Sequence, residues 1–164
     1  QEIRGYSVFM SAMVMLPAAV ISALINPWIG AVFDKHGGRP VILLGLVLLA
    51  IGSFSYVTFY EDTATWYIGL MYSVRWFGIN IVQMPVNTWS MSDFRGEIIT
   101  HANAVFNTFR QIAGSVGTAI FVSIYTVVAQ SSSALFGVHV SFGASTLLMV
   151  AAIVLTLAKV KKNA

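Results

Sequence analysis

Two arginines, Arg75 and Arg110, stand inside stretches that are otherwise apolar, and the polar residues around them recur at helical spacing. Trp76, Asn80, Gln83 and Asn87 fall on one face of a helix, with Arg75 beside them. Asn103, Asn107, Arg110, Gln111, Gly114 and Thr118 form a second stripe of the same kind. Amides and guanidinium groups in such rows offer hydrogen bonds and positive charge, which suits holding a solute rather than breaking a bond. Trp76 adds an aromatic face for an apolar or cationic group. Covalent chemistry finds no nucleophile–base pair here. The chain has no cysteine, and His36, His101 and His139 lie on three separate segments. It is read as no enzyme, with no metal and no cofactor.

The elements that must carry these rows are set by composition. Hydrophobic residues make up 57% of the 164 residues, charged residues 9%, and mean hydropathy is +0.80. A soluble domain needs roughly 25% charged residues to cover its surface, so lipid is expected around much of this one. A membrane-spanning helix takes about 20 apolar residues. Five segments qualify, at about 7–33, 40–60, 66–90, 102–129 and 138–158. The expected fold is an all-α integral membrane protein of five transmembrane helices in one unit, 1–164. No Pro/Ser-rich linker divides it.

An arginine within a span costs about 2.5–3.5 kcal/mol on insertion scales and normally faces a bundle interior or a water-filled cavity. The third and fourth spans carry the polar stripes, whereas the second and fifth carry little beyond Ser and Thr, whose hydroxyls can bond their own helix. This contrast predicts an inner pair around a polar cavity and an outer pair toward lipid. The competing reading is that each Asn or Gln joins helices by an interhelical hydrogen bond. In the fourth span Ala113, Gly114, Gly117 and Thr118 are small residues that admit a close helix neighbour. Pro17 and Pro27 bend the first span, as a static kink or a working one.

Between the first two spans lies a tight, charged, glycine-rich turn, Gly30-Ala31-Val32-Phe33-Asp34-Lys35-His36-Gly37-Gly38-Arg39. Lys35, Arg39, Arg95, Lys159, Lys161 and Lys162 gather on one side of the predicted topology, with only Arg4 opposite. The positive-inside bias makes the turn and the C-terminus cytoplasmic and puts Gln1 outside. These positions at span ends explain the net charge of +3 without a nucleic-acid partner. The chain begins at Gln1 with no signal-peptide pattern, and is expected to be a piece of a longer protein with an odd number of spans upstream.

The turn resembles the G-x-x-x-D-[RK]-x-G-x-[RK] loop of the major facilitator superfamily. The run His101-Ala102-Asn103-Ala104 through Asn107-Thr108-Phe109-Arg110-Gln111-Ile112-Ala113-Gly114-Ser115-Val116-Gly117-Thr118-Ala119 resembles the penultimate helix of its fourteen-helix drug:proton antiporters of the EmrB/QacA type. Leu16-Pro17 and Asn26-Pro27-Trp28-Ile29-Gly30 extend the likeness, which covers nearly the whole chain. It departs at Gly38, where the commoner loop has Arg.

The resemblance implies the last five of fourteen helices in the C-terminal half of the fold. It implies proton-coupled export of amphiphilic small molecules by alternating access, with the missing N-terminal half and protons as partners. Gly30, Asp34, Lys35, Gly37 and Arg39 would be a conformational latch. Arg75, Trp76, Asn80, Gln83, Asn87, Asn107, Arg110 and Gln111 would line the substrate cavity. No Asp or Glu lies within a span, so the proton carriers are expected upstream. A solute importer or facilitator of the same superfamily, or a non-transporting membrane scaffold, remains the alternative.

Overall fold

The computed structural model describes residues 7–60, 62–92, 94–96 and 98–159. Gln1, Arg4, Lys161 and Lys162, which carried part of the charge argument, lie outside them. Every regular element among the described residues is helical: α1 (Val8–His36), α2 (Gly38–Ser55), α3 (Thr65–Met91), α4 (Ile98–Ser131) and α5 (Ala134–Lys159), with a 3-10 turn at Tyr56–Thr58 closing α2.

The helices outrun the apolar segments. α1 begins where the Ser7 Oγ accepts the Met10 N–H at 3.2 Å, and it continues through Asp34, Lys35 and His36. Lys35 and His36 sit in its last turn, where cations complement the helix dipole. Gly37 alone separates α1 from α2. Its φ of 77° is a region that only glycine enters cheaply, and its N–H closes α1 on the Phe33 carbonyl at 2.9 Å. The charged turn is therefore mostly helix, broken at one residue.

Successive helices run in opposite directions. Gly38, Gly45 and Gly52 of α2 meet Trp89, Val82 and Arg75 of α3 in reverse order. The three glycines recur every seventh residue along one edge of α2, and each lets α3 in closer than a side chain would allow. A Cβ on Gly45 would lie 2.7 Å from a Val82 methyl, and one on Gly52 would lie 2.9 Å from the Arg75 backbone. Gly78 answers from α3: a Cβ there would lie 2.7 Å from the Gly45 carbonyl oxygen. Small residues are what helices use to pack in lipid, where apolar burial provides no drive.

Two apolar clusters fill the remaining faces of α2. Val41 packs with Ile29 of α1 and Ile81 of α3. Ile42, Leu46 and Leu49 pack against Ile79 and Val82 of α3 and against Met149, Ala152 and Ile153 of α5. A fourth face, Leu44, Val47, Ile51 and Phe54, is exposed and wholly apolar, as a lipid-facing surface must be. The expectation for α2 thus needs a second half: one face suits lipid, and the rest makes it the most buried helix described. α4 is the reverse. None of its residues is buried, and it leans on α5, where Gly137 packs on Tyr125.

By length and composition α1, α2, α4 and α5 can each cross a membrane. α3 is long enough, but Arg75, Asn80, Gln83 and Asn87 lower its hydropathy.

Candidate functional site

The bundle has two chemically distinct ends. At one lie Gly37, the start of α2, the end of α3 at Trp89 and the end of α5. Here Arg39 Nη2 donates to the Leu157 carbonyl at 3.0 Å. A cation on the last carbonyls of α5 offsets their partial negative charge. The Arg39 Nε is buried without a partner. Gly30 packs toward α3, with Met84 Cε 3.2 Å from where a Cβ would sit. Asp34 and Lys35 are exposed, and no acidic partner for Lys35 or Arg39 appears among the described residues.

The other end is aromatic. Tyr56 stacks on Phe142 at 4.3 Å between centroids, and Phe59 meets Tyr67 edge-on at 5.7 Å. His139 Nε2 donates to the Phe59 carbonyl at 2.8 Å; because a carbonyl only accepts, this nitrogen carries the proton.

Between these ends the polar stripes divide rather than share one wall. Gln83 of α3 and Arg110 of α4 line the same open groove of about 520 Å³. Its walls are otherwise apolar, with Leu49, Ile79, Val82 and Val86 on one side and Phe106, Phe109 and Ala113 on the other. Trp76, Asn80 and Asn87 lie further round α3. Trp76 is 38% exposed and stacks on Tyr72 at 6.0 Å, and the Asn80 Nδ2 donates back to the Trp76 carbonyl at 2.8 Å. On α4 the Asn107 Nδ2 donates to the backbone carbonyl and Oδ1 of Asn103, at 3.0 and 2.9 Å. Gln111 is exposed. The Asn80 and Asn107 amides thus bond along their own helices rather than joining helices among the described residues.

Arg75 points elsewhere. Its Nε donates to the Ser53 Oγ of α2 at 3.3 Å, and its guanidinium carbon stands 5.4 Å from the centroid of the Phe142 ring on α5. It lines a separate pocket of about 340 Å³ among α3, α4 and α5. Sequence spacing could not reveal this, since Arg75 sits at the border of two α3 faces and packing at Gly52 decides which way it turns. Ser53, only 1% exposed, and the phenylalanines of the groove were not anticipated as site residues. Among the described residues no three His, Asp or Glu side chains gather around a possible metal position.

Residues 1–118 match the sequence pattern of the Major Facilitator Superfamily. The chain belongs to this superfamily. It is 36% identical over 126 residues, 77% of its length, to an uncharacterized MFS-type transporter, YhcA, of Bacillus subtilis (strain 168), and covers 24% of that protein. It is 29% identical over 124 residues to the lincomycin resistance protein LmrB of Listeria innocua, which is 76% of this chain and 26% of the relative. To the multidrug export protein EmrB of Escherichia coli K12 it is 25% identical over 133 residues, 77% of this chain and 25% of the relative. The chain spans about a quarter of the length of these curated relatives. No solved structure matches it. A superfamily member with several helices able to cross a bilayer is a multi-pass membrane protein.

Proposed function

We propose that this chain is the C-terminal part of a fourteen-helix drug:proton antiporter, which exports amphiphilic small molecules by alternating access. The observation that carries the reading is the likeness, across three-quarters of the chain, to relatives named for multidrug export and lincomycin resistance. The α3–α4 groove supports it: apolar walls with one amide and one guanidinium suit a solute that is mostly greasy and partly polar. In this reading α3 is also a span, the third of five, and its row of Trp76, Asn80 and Asn87 faces the N-terminal half across the central cavity. Asn107 and Gln111 extend the same wall from α4.

The end that holds Lys35, Arg39 and Arg95 is cytoplasmic, by the positive-inside bias. Asp34 is the latch carboxylate, and its partner belongs to the N-terminal half, as do the proton-carrying acids. Gly30 and Gly37 keep the latch close-packed and sharply turned.

Full-length protein in vesicles under an imposed pH gradient tests the reading through efflux of ethidium. Gradient-driven efflux that falls at least tenfold in Asp34→Asn and in Arg110→Ala, with both variants still folded, is expected. Absence of gradient-dependent flux for ethidium and several other amphiphiles would overturn the drug-antiporter reading.

A further inference from the structure

We propose that the pocket between α3, α4 and α5 is an anion site that takes a small amphiphile bearing one carboxylate on a compact apolar body. This goes beyond the export reading, which concerns the α3–α4 groove, and it does not depend on transport.

The backbone of Arg75 lies about 15 Å along α3 from its start at Thr65. That is near the middle of a helix flanked by others long enough to span a bilayer. Its position is over-determined. The α3 backbone at Arg75 is seated on Gly52, the Nε is held by a serine buried from solvent, and the Phe142 ring lies beside the guanidinium carbon. Of its five N–H donors only the one on Nε is used; neither Nη has an acceptor among the described residues. No Asp or Glu lines the pocket. A fixed cation in low dielectric with two free Nη groups matches a carboxylate, whose two oxygens can take both at once.

The rest of the lining narrows the ligand. Thr118 and Ser141 donate their hydroxyl hydrogens to the Gly114 and Phe121 carbonyls, so they offer only lone pairs. Ser145 has no partner among the described residues and can supply one further donor. Arg75 is the one charged residue in the lining, so the pocket balances a single negative charge, not a dianion. Tyr125 adds an aromatic ring that carries a hydroxyl, and Phe121, Val122, Val138 and Phe142 make the remaining wall apolar. A volume of about 340 Å³ sits at the small end of ligand pockets, which sets the compact body.

The test is calorimetric titration of the full-length protein in phosphatidylcholine nanodiscs, where no anionic lipid competes. The probes are 4-tert-butylbenzoate and its uncharged isostere 4-tert-butylbenzamide. The benzoate is expected to bind at least tenfold more tightly. Arg75→Gln should remove that preference, Arg75→Lys should keep part of it, and Arg110→Gln should leave it intact. Ser145→Phe fills the pocket while keeping Arg75, and it should abolish benzoate binding even if Arg75→Gln proves unable to fold. Equal binding of the two probes would overturn the proposal. So would a preference that survives Ser145→Phe, or one that survives Arg75→Gln and disappears in Arg110→Gln. The titration uses no gradient and no flux, so a protein that fails to export ethidium still answers it.

Discussion

The glycine rows of α2 and α4 look alike in sequence and mean different things. In α2, Gly38, Gly45 and Gly52 are filled against: α3 occupies the space a side chain would need. In α4, Gly114 and Gly117 have nothing within 4 Å of where a Cβ would sit. One row is a finished interface. The other is a face open among the described residues. A helix pays about 1 kcal/mol for each interior glycine relative to alanine, a cost that close packing offsets in α2 and that nothing described offsets in α4. The lesson is that small residues mark a capacity to approach, and only the partner's position shows whether it is used.

Substitutions can break or sharpen this contrast. The largest effect is expected at Gly52→Leu, which pushes α3 off α2 and dislodges Arg75; overpacking of this kind costs about 3 kcal/mol. Thermal unfolding in detergent should show the midpoint lowered by many degrees or no cooperative transition at all. Arg110→Ala tests the open side. Its side chain is exposed in the open groove, so the melting midpoint should stay within error while ethidium efflux falls at least tenfold. Arg39→Gln removes the charge-assisted hydrogen bond to Leu157 and should cost about 1 kcal/mol, read as a modest drop in thermal midpoint, with Arg39→Lys recovering part of it. The smallest effect carries the opposite sign. Gly114→Ala in the 164-residue chain should be neutral or stabilising by up to about 1 kcal/mol, measured in the same unfolding experiment. A clear destabilisation there would show that α4 meets a surface absent from the arrangement described.

Much of this fold was legible because its determinants are local. Runs of apolar residues locate the helices, and the charge between the first two marks their ends, although Gly37 alone makes the break. The row of Gln83 and Arg110 was legible as polar, and both residues do reach one groove. What spacing alone could not yield was burial. A leucine that faces lipid and a leucine that faces protein contribute equally to hydropathy, so α2 read as peripheral while three of its faces pack on other helices. Nor could it yield contacts between distant residues. Arg39 and Leu157 are 118 positions apart, and their meeting depends on how α2 and α5 run past each other. The glycine heptad of α2 was present to be read, since a period of seven along one helix edge is a packing signal in its own right. The glycines of α4 gave the stronger local signal and, among the described residues, have the weaker contact.

Gly37 has a consequence for how the chain enters a bilayer. A single residue between α1 and α2 leaves no slack, so neither helix can cross, withdraw or invert without the other. The two must be threaded as one hairpin, with Lys35 and Arg39 at its tip. Dragging that tip through hydrocarbon would carry the charges of Asp34, Lys35 and Arg39 across, so entry with the tip left behind is strongly favoured. Lengthening the turn by a few residues would uncouple the helices and let their orientations be chosen separately during synthesis.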